Sequence, residues 1–211
     1  MTAPICLRSL LFVAKKKDQP ARKLTRKPGI ERYQRIIEAA ERLILERGSG
    51  EGLTLDAVAK KAGVPWVLLY YFFESVGALI DTLNQRTVKR MAAELPRPPV
   101  TMDWRQLIGF YADSVRKFYM NNRLEMILAL MPTSHESFNR ASQEFGKALY
   151  DLLTANGAVP KSQKVARACG IIAGLPGLVW RKSLIETGRL TPAYHREAKR
   201  VTIAYMAAVL E

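Results

Sequence analysis

The sequence predicts an all-α protein with an amino-terminal helix-turn-helix headpiece and a larger carboxy-terminal helical bundle. Apolar residues recur at three- and four-residue steps along most of the chain, which is the spacing of amphipathic helices. Glycine, proline and capping residues interrupt this pattern at intervals typical of helix ends. No segment shows the two-residue alternation of β-strands. The 211 residues are enough for one or two compact domains.

Residues that commonly start or stop helices divide the first half of the chain. They are Pro28-Gly29 before the first helix, Gly48 after it, Thr54 and Gly63 around the second, Pro65 at the start of the third and Ser75 before the fourth. Later helices are expected at roughly 103–120, 123–131, 134–155, 162–187 and 192–211. The prolines at 96, 98 and 99 form a stiff break between the two groups. We therefore expect an arm at 1–29, a headpiece at 30–92 and a second domain at 100–211.

The charge favours a polyanionic partner. The formal net charge is +14, and residues 15–27 form a basic stretch without apolar periodicity, which indicates a flexible arm. Nucleic acid and an anionic membrane surface both fit this charge. The arm has no adjoining amphipathic anchor and charges interrupt the long apolar stretches, so we expect no membrane partner. Cys6 and Cys169 are expected to be free thiols in the cytoplasm.

The segment from Leu53 to Phe73 has the spacing of a helix-turn-helix. Small Ala59 allows two short helices to cross closely, and Gly63 permits the sharp turn between them. Val58, Val64 and Leu69 are expected to form the small core that fixes their angle. An ordinary helical hairpin is the alternative interpretation of this segment by itself.

The surroundings of the motif narrow the choice. The residues that carry the likeness are Ile36-Ile37-Glu38-Ala39-Ala40, Leu43, Glu46-Arg47-Gly48, Thr54, Val58-Ala59, Ala62-Gly63-Val64, Leu69-Tyr70, Phe73 and Ala78-Leu79. In type and spacing this pattern resembles the headpiece of the tetracycline-repressor family over about residues 30–90. The resemblance implies three headpiece helices with a connecting fourth, a helical effector domain, a two-fold homodimer and double-stranded operator DNA as partner.

Four positions depart from the family pattern. The family usually has serine at Pro65, glycine near Val67, histidine at Phe72 and lysine at Val76. The last two positions commonly reach DNA phosphates, which neither side chain can do here. The exposed part of the third helix is expected to be apolar, with Trp66, Val67 and Leu68. Such groups pack on thymine methyls but make no bidentate hydrogen bonds to bases, so readout should be weak or centred on thymine.

Several residues are candidates for DNA contact. By resemblance, Thr54 and Tyr70 should bind phosphates through their hydroxyl groups. The other candidates are Trp66 and Val67 at the bases, Tyr71, Lys60 and Lys61 near the backbone, and Arg26 and Lys27 in the arm. Thr54 as a simple helix cap, and the two lysines as a solvated face, are the competing interpretations.

The second domain is rich in large, soft side chains. The candidates for lining a small-molecule site between helices are Phe110, Met126, Leu130, Phe145 and Trp180. They favour a small hydrophobic or amphipathic effector, although side chains at such spacing also form plain cores. The small, apolar run at 168–178 is expected to pair with the last helix in a two-fold interface, or else to be buried within one subunit. Pro176 suggests a kink there.

We therefore expect a sequence-specific DNA-binding regulator, a repressor that a small hydrophobic ligand releases from its operator. The alternative is a helical ligand-binding or protein-interaction module with a degenerate headpiece that binds DNA without specificity. The sequence contains no catalytic constellation, phosphate-binding loop or metal-ligand spacing, so no enzyme activity and no cofactor is predicted.

Overall fold

The computed structural model describes residues 27–99, 102–130, 135–155 and 157–211. This part of the chain folds into nine α-helices and contains no strand, which confirms the all-α prediction. The helices are α1 (Lys27–Arg47), α2 (Leu55–Ala62), α3 (Trp66–Phe72), α4 (Val76–Glu94), α5 (Trp104–Asn121), α6 (Arg123–Leu130), α7 (His135–Ala155), α8 (Gln163–Thr187) and α9 (Pro192–Leu210).

The first helix begins earlier than its sequence pattern indicated. Lys27, Pro28 and Gly29 form the first turn of α1. Proline is tolerated there because the first amide groups of a helix have no partner within the helix. Pro28-Gly29 is therefore part of the helix and does not separate it from the arm. The rest of the arm lies outside the described residues.

The helices pack into two compact units. The headpiece unit contains the described residues 27–88, 122–130 and 135–137. Its apolar core combines Ile37 and Ile44 of α1 with Leu69 of α3. Ile127 and Leu128 of α6 are buried in the same core, so this short helix belongs to the headpiece. The sequence pattern did not predict this, because it shows that α6 is apolar but not which core the helix joins.

The second unit covers the described residues 89–99, 102–121, 138–155 and 157–211. Leu107 of α5, Leu153 of α7, Ile172 of α8 and Met206 of α9 are fully buried in its core. The backbones of α7 and α8 meet closely: a Cβ added to Gly146 would lie 2.5 Å from the Cα atom of Gly170. Only glycine at this crossing allows such an approach.

The small, apolar run at 168–178 belongs to α8, and its residues lie in two different environments. Cys169 and Ile172 face the core, and burial raises the pKa of the Cys169 thiol to about 12. A Cβ on Gly174 would touch Phe138 and Ser142 of α7. Leu178 is 58% exposed. The run is therefore partly internal packing and partly open surface. The helix continues through Pro176, which donates no backbone hydrogen bond.

By length and composition, α8 is the one helix of the described chain that could cross a membrane unaided. A bent pair, α3 with α4, passes the same test as a broken span. The sequence had indicated no such segment. One helix of this kind is weak support for a membrane protein, because the core helices of soluble proteins have the same composition. Only 28% of its apolar window is buried within the subunit.

Candidate nucleic-acid interface

The turn between α2 and α3 has the geometry expected of a helix-turn-helix. Gly63 adopts the left-handed conformation, with φ 63° and ψ 40°, and its amide donates to the carbonyl groups of Ala59 and Lys60. The amide of Val64 also donates to the carbonyl of Ala59, at 3.1 Å. This chain reversal satisfies the last carbonyl groups of α2 and lets α3 begin directly after Pro65. A residue with a Cβ would strain the turn at position 63.

Thr54 caps the start of α2. Its hydroxyl oxygen accepts a hydrogen bond from the amide of Ala57 at 3.1 Å, and the residue is exposed. The hydroxyl hydrogen is not used in this bond. The capping role is therefore present, and donation of the hydroxyl hydrogen to a phosphate is chemically compatible with it.

Helix α3 buries one face and presents the other. Leu69 and Phe72 are buried in the headpiece core. Trp66 and Val67 are each 61% exposed, and Tyr70 and Tyr71 are also exposed. These last four residues form the outward face of α3. The candidate base-contacting and phosphate-contacting residues of this helix therefore lie together on one surface.

The outward face of α3 is aromatic and carries no charge. The rings of Trp66 and Tyr70 contact edge to face, with centroids 5.7 Å apart. The face offers two phenolic hydroxyl groups, one indole N–H and apolar surface, but no carboxylate, amide or guanidinium group. It can donate hydrogen bonds to phosphate oxygens and pack on thymine methyls. It has no side chain for bidentate contacts to guanine or adenine.

The departures from the family pattern have a structural explanation. Phe72 is buried, and its ring contacts the edge of Tyr33 at 5.8 Å between centroids. Val76 packs on the same core. Both positions therefore contribute to the headpiece core in place of phosphate contacts. Leu68, expected to be exposed, is half-buried against this core, because its position on α3 lies between the inward and outward faces.

The cationic candidates differ in their environments. Lys60 is exposed and makes no ion pair with the described residues. Lys61 forms a salt bridge with Glu46 of α1 at 2.6 Å, so its charge is already balanced. Lys27 is exposed in the first turn of α1, whereas Arg26 lies outside the described residues.

Ring contacts fix where the start of α1 lies in the headpiece. Tyr33 of α1 contacts Phe72 and stacks on Phe73 at 5.6 Å between centroids. The amino-terminal part of α1 therefore lies beside the carboxy-terminal end of α3. Lys27 is six residues upstream of Tyr33, about 9 Å along the helix axis.

The predicted ligand-binding residues fall in both units. Phe145 packs on a cluster formed by Met91, Leu95 and Phe118. Trp180 is buried, and Phe110 is half-buried. These three residues belong to the second unit, whereas Met126 belongs to α6 of the headpiece unit. The side chain of Leu130 lies outside the described part of the chain. Their role in ligand binding stays a prediction.

A partly buried polar cluster in the second unit was not predicted. Nε2 of His195 on α9 lies 2.6 Å from Oδ1 of Asp113 on α5, and Lys199 donates to the same carboxylate. Burial alone would raise the pKa of Asp113, but the bonds from His195 and Lys199 outweigh it and lower the pKa. Asp113 and His195 are 82 residues apart, so no local sequence signal could pair them. No group of metal-ligating side chains comes together within the described residues.

A headpiece with this turn, a capped second helix and a third helix that is exposed on one face defines a helix-turn-helix DNA-binding protein. Residues 36–83 match the family model described as bacterial regulatory proteins, tetR family. The helix-turn-helix part of the chain is therefore similar to that of this family, which supports a DNA-binding regulator.

Two solved structures share the fold. A TetR-family transcriptional regulator from Streptomyces coelicolor aligns with a TM-score of 0.62 at 21% identity, covering 85% of this chain and 99% of that chain. A TetR transcriptional regulator from Rhodococcus sp. RHA1 aligns with a TM-score of 0.57 at 18% identity, covering 86% and 98%. No curated protein sequence is significantly similar to the chain.

Proposed function

We propose that the protein is a cytoplasmic transcriptional repressor that binds operator DNA as a homodimer and leaves it when a small ligand binds the second unit. The observation that carries the proposal is the outward face of α3. Trp66, Val67, Tyr70 and Tyr71 project from a helix whose other face is fixed in the core. Such a helix can enter the major groove as a rigid body.

The contacts follow from the chemistry of this face. Trp66 and Val67, in the first turn of α3, pack against base edges and favour thymine through its methyl group. Tyr70, Tyr71 and the hydroxyl of Thr54 donate to phosphate oxygens. Lys60, Lys27 and the arm with Arg26 supply the positive charge that α3 lacks. Specificity then depends on apolar fit and DNA shape more than on hydrogen-bonded readout.

Dimerisation uses the open face of α8 together with α9. Ile171, Leu178 and Ile185 of α8 are exposed and seven residues apart, so they form one stripe about 21 Å long. Val201 of α9 is also exposed. A stripe of this kind on a soluble protein favours a helical interface with a second copy. Two-fold symmetry then gives an operator with two half-sites, about 34–36 Å apart.

The experiment that tests the proposal is selection of bound fragments from genomic DNA, followed by binding measurements on the enriched sequence at several salt concentrations. We expect one enriched motif with two-fold symmetry. Affinity for it should exceed affinity for unrelated DNA by at least about a thousandfold and fall steeply with salt. The absence of an enriched motif would contradict specific DNA binding.

A second candidate is a helical ligand-binding or protein-interaction module whose headpiece binds DNA without specificity. The observation that favours it is the lack of any charged residue on α3, together with the exposure of Trp66 and Val67. The same experiment separates the two functions. Equal affinity for all DNA sequences, with an ordinary salt dependence, would favour the second candidate.

A further inference from the structure

Three helices of the second unit contribute to a partly buried polar cluster. Helix α5 contributes Asp113 and Arg116, helix α8 contributes Trp180, and helix α9 contributes His195 and Lys199. Nε2 of His195 and Nζ of Lys199 both lie within 3.1 Å of the Asp113 carboxylate. The rings of Trp180 and His195 stack with centroids 5.9 Å apart. The three helices are thus joined through polar side chains.

The loop between α8 and α9 closes the cluster on one side. Arg116 donates from Nη2 to the carbonyl of Leu190 at 3.1 Å. The hydroxyl of Ser183 donates to the carbonyl of Arg189 at 2.7 Å and accepts from the amide of Thr191 at 3.1 Å. The backbone of this loop is therefore satisfied and held in place.

Three nitrogen atoms in this otherwise satisfied cluster have no hydrogen-bond partner among the described residues. They are Nε1 of Trp180, Nε of Arg116 and Nδ1 of His195. Trp180 and His195 are only 5% and 8% exposed. A buried polar group without a partner destabilises the folded state, so three of them in one cluster indicate a polar occupant.

The charge and hydrogen-bonding capacity of the cluster specify what that occupant is. The indole of Trp180 and the Nε of Arg116 are donors in every accessible protonation state, so they require an acceptor. No carboxylate among the described residues forms an ion pair with Arg116, because Asp113 pairs with His195 and Lys199 instead. An anionic oxygen acceptor would satisfy both donors and balance this positive charge.

The other side of Trp180 is apolar. The ring of Tyr119 contacts it edge to face at 6.1 Å between centroids. Tyr119 packs in turn on the cluster of Met91, Leu95 and Phe118, which Phe145 also joins. A ligand whose charged end meets Trp180 and Arg116 could therefore extend an apolar part along these side chains.

We propose that the effector is an organic acid with an apolar tail, and that its carboxylate accepts hydrogen bonds from Nε1 of Trp180 and Nε of Arg116. This assignment rests on the proposed function in taking the ligand to be the effector. It adds the chemical class of the ligand and the residues that recognise it.

The test uses the full-length protein and two matched pairs of probes, 4-phenylbutyrate with 4-phenylbutan-1-ol, and octanoate with octan-1-ol. Each pair shares a carbon skeleton and differs in the anionic acceptor. We expect calorimetry to show tighter binding of each carboxylate than of its alcohol. Trp180→Phe should weaken carboxylate binding about tenfold, because it removes one hydrogen bond to a charged acceptor, and should weaken alcohol binding much less, because a bond to a neutral oxygen is weaker.

Two further variants test whether the preference for the carboxylate depends on this site. Arg116→Met should also remove the preference for the carboxylate. Trp104→Phe is the matched control, since Trp104 lies in the same unit with its ring under the guanidinium of Arg105, 4.2 Å away. Circular dichroism must show that each variant is folded. The site is wrong if neither carboxylate binds more tightly than its alcohol, or if Trp104→Phe and Trp180→Phe have equal effects.

Measuring whether the carboxylates release the protein from operator DNA distinguishes a failure of this binding site from a failure of the proposed function. If the carboxylates dissociate the wild-type protein from its operator but not Trp180→Phe, both proposals are supported. If they bind selectively at this site without releasing DNA, the site stands and ligand-released repression is wrong. If they release the wild-type protein and Trp180→Phe at equal concentrations, the site is overturned and ligand release stands.

Discussion

The open stripe of α8 should contribute strongly to a two-fold dimer. Full burial of a leucine side chain contributes about 1.5–3 kcal/mol. Leu178 is 58% exposed in the subunit, so roughly half of this free energy is still to be gained in an interface. Two symmetry-related copies make the contribution about 1.5–3 kcal/mol per dimer. Leu178→Ala should therefore weaken dimerisation about 10- to 150-fold.

Sedimentation equilibrium over a range of concentrations measures this change directly. Met120→Ala is the matched control, because Met120 is an exposed apolar residue of α5, which is outside the stripe. Leu178→Glu should give monomers that stay folded and no longer bind operator DNA cooperatively. Equal dissociation constants for Leu178→Ala and the wild-type protein would refute the interface. Gly174→Glu is unsuitable, since a side chain there meets Phe138 and Ser142 within the subunit.

Three further predictions concern DNA binding and pH. Tyr70→Phe should lower operator affinity by about 1 kcal/mol, equally on matched and mismatched sites in fluorescence anisotropy, because it removes only a hydrogen bond to a phosphate. Val67→Ala should reduce discrimination at thymine positions, and uracil in place of that thymine should mimic the variant; equal losses on all sequences would exclude base contact by Val67. Asp113→Asn should lower the Tm at neutral pH. The pKa of Asp113 is depressed below its ordinary value of 3.8 in the native state. The stability that its charge provides is therefore present above that value and is lost as the pH falls through the native pKa. A Tm difference that stays constant down to pH 2 would contradict this linkage.

The basic arm carries a fourth prediction. Removal of residues 1–26 should weaken DNA binding and flatten the dependence of log affinity on log salt, by about 0.9 for each phosphate that the arm neutralises. Sequence preference should change less than affinity, since bonds to phosphates carry little base information. Gel-shift titrations at four salt concentrations measure both quantities. An unchanged slope would mean that the arm does not bind DNA.

The helix-turn-helix could be predicted because its signals are local. Thr54 caps α2 by accepting a hydrogen bond from the amide of Ala57, three residues further along the chain. Gly63 ends α2 in the left-handed conformation that the turn requires. Both features depend on a few consecutive residues and on backbone conformation, which sequence patterns report well. The apolar character of α3 follows from its composition in the same way. The assignment of individual DNA contacts to Thr54, Tyr70 and Lys60 stays a prediction.

Only the tertiary structure decided which distant residues meet. It joined α6 to the headpiece core through Ile127 and Leu128, and it brought Gly146 against Gly170. It also buried His195 beside Asp113 and Trp180. The sequence determines which face of each helix is apolar, because side chains repeat every 3.6 residues. Which helix contacts that apolar face depends on how the nine helices of the described chain pack against one another. The same packing decides which polar side chains are buried.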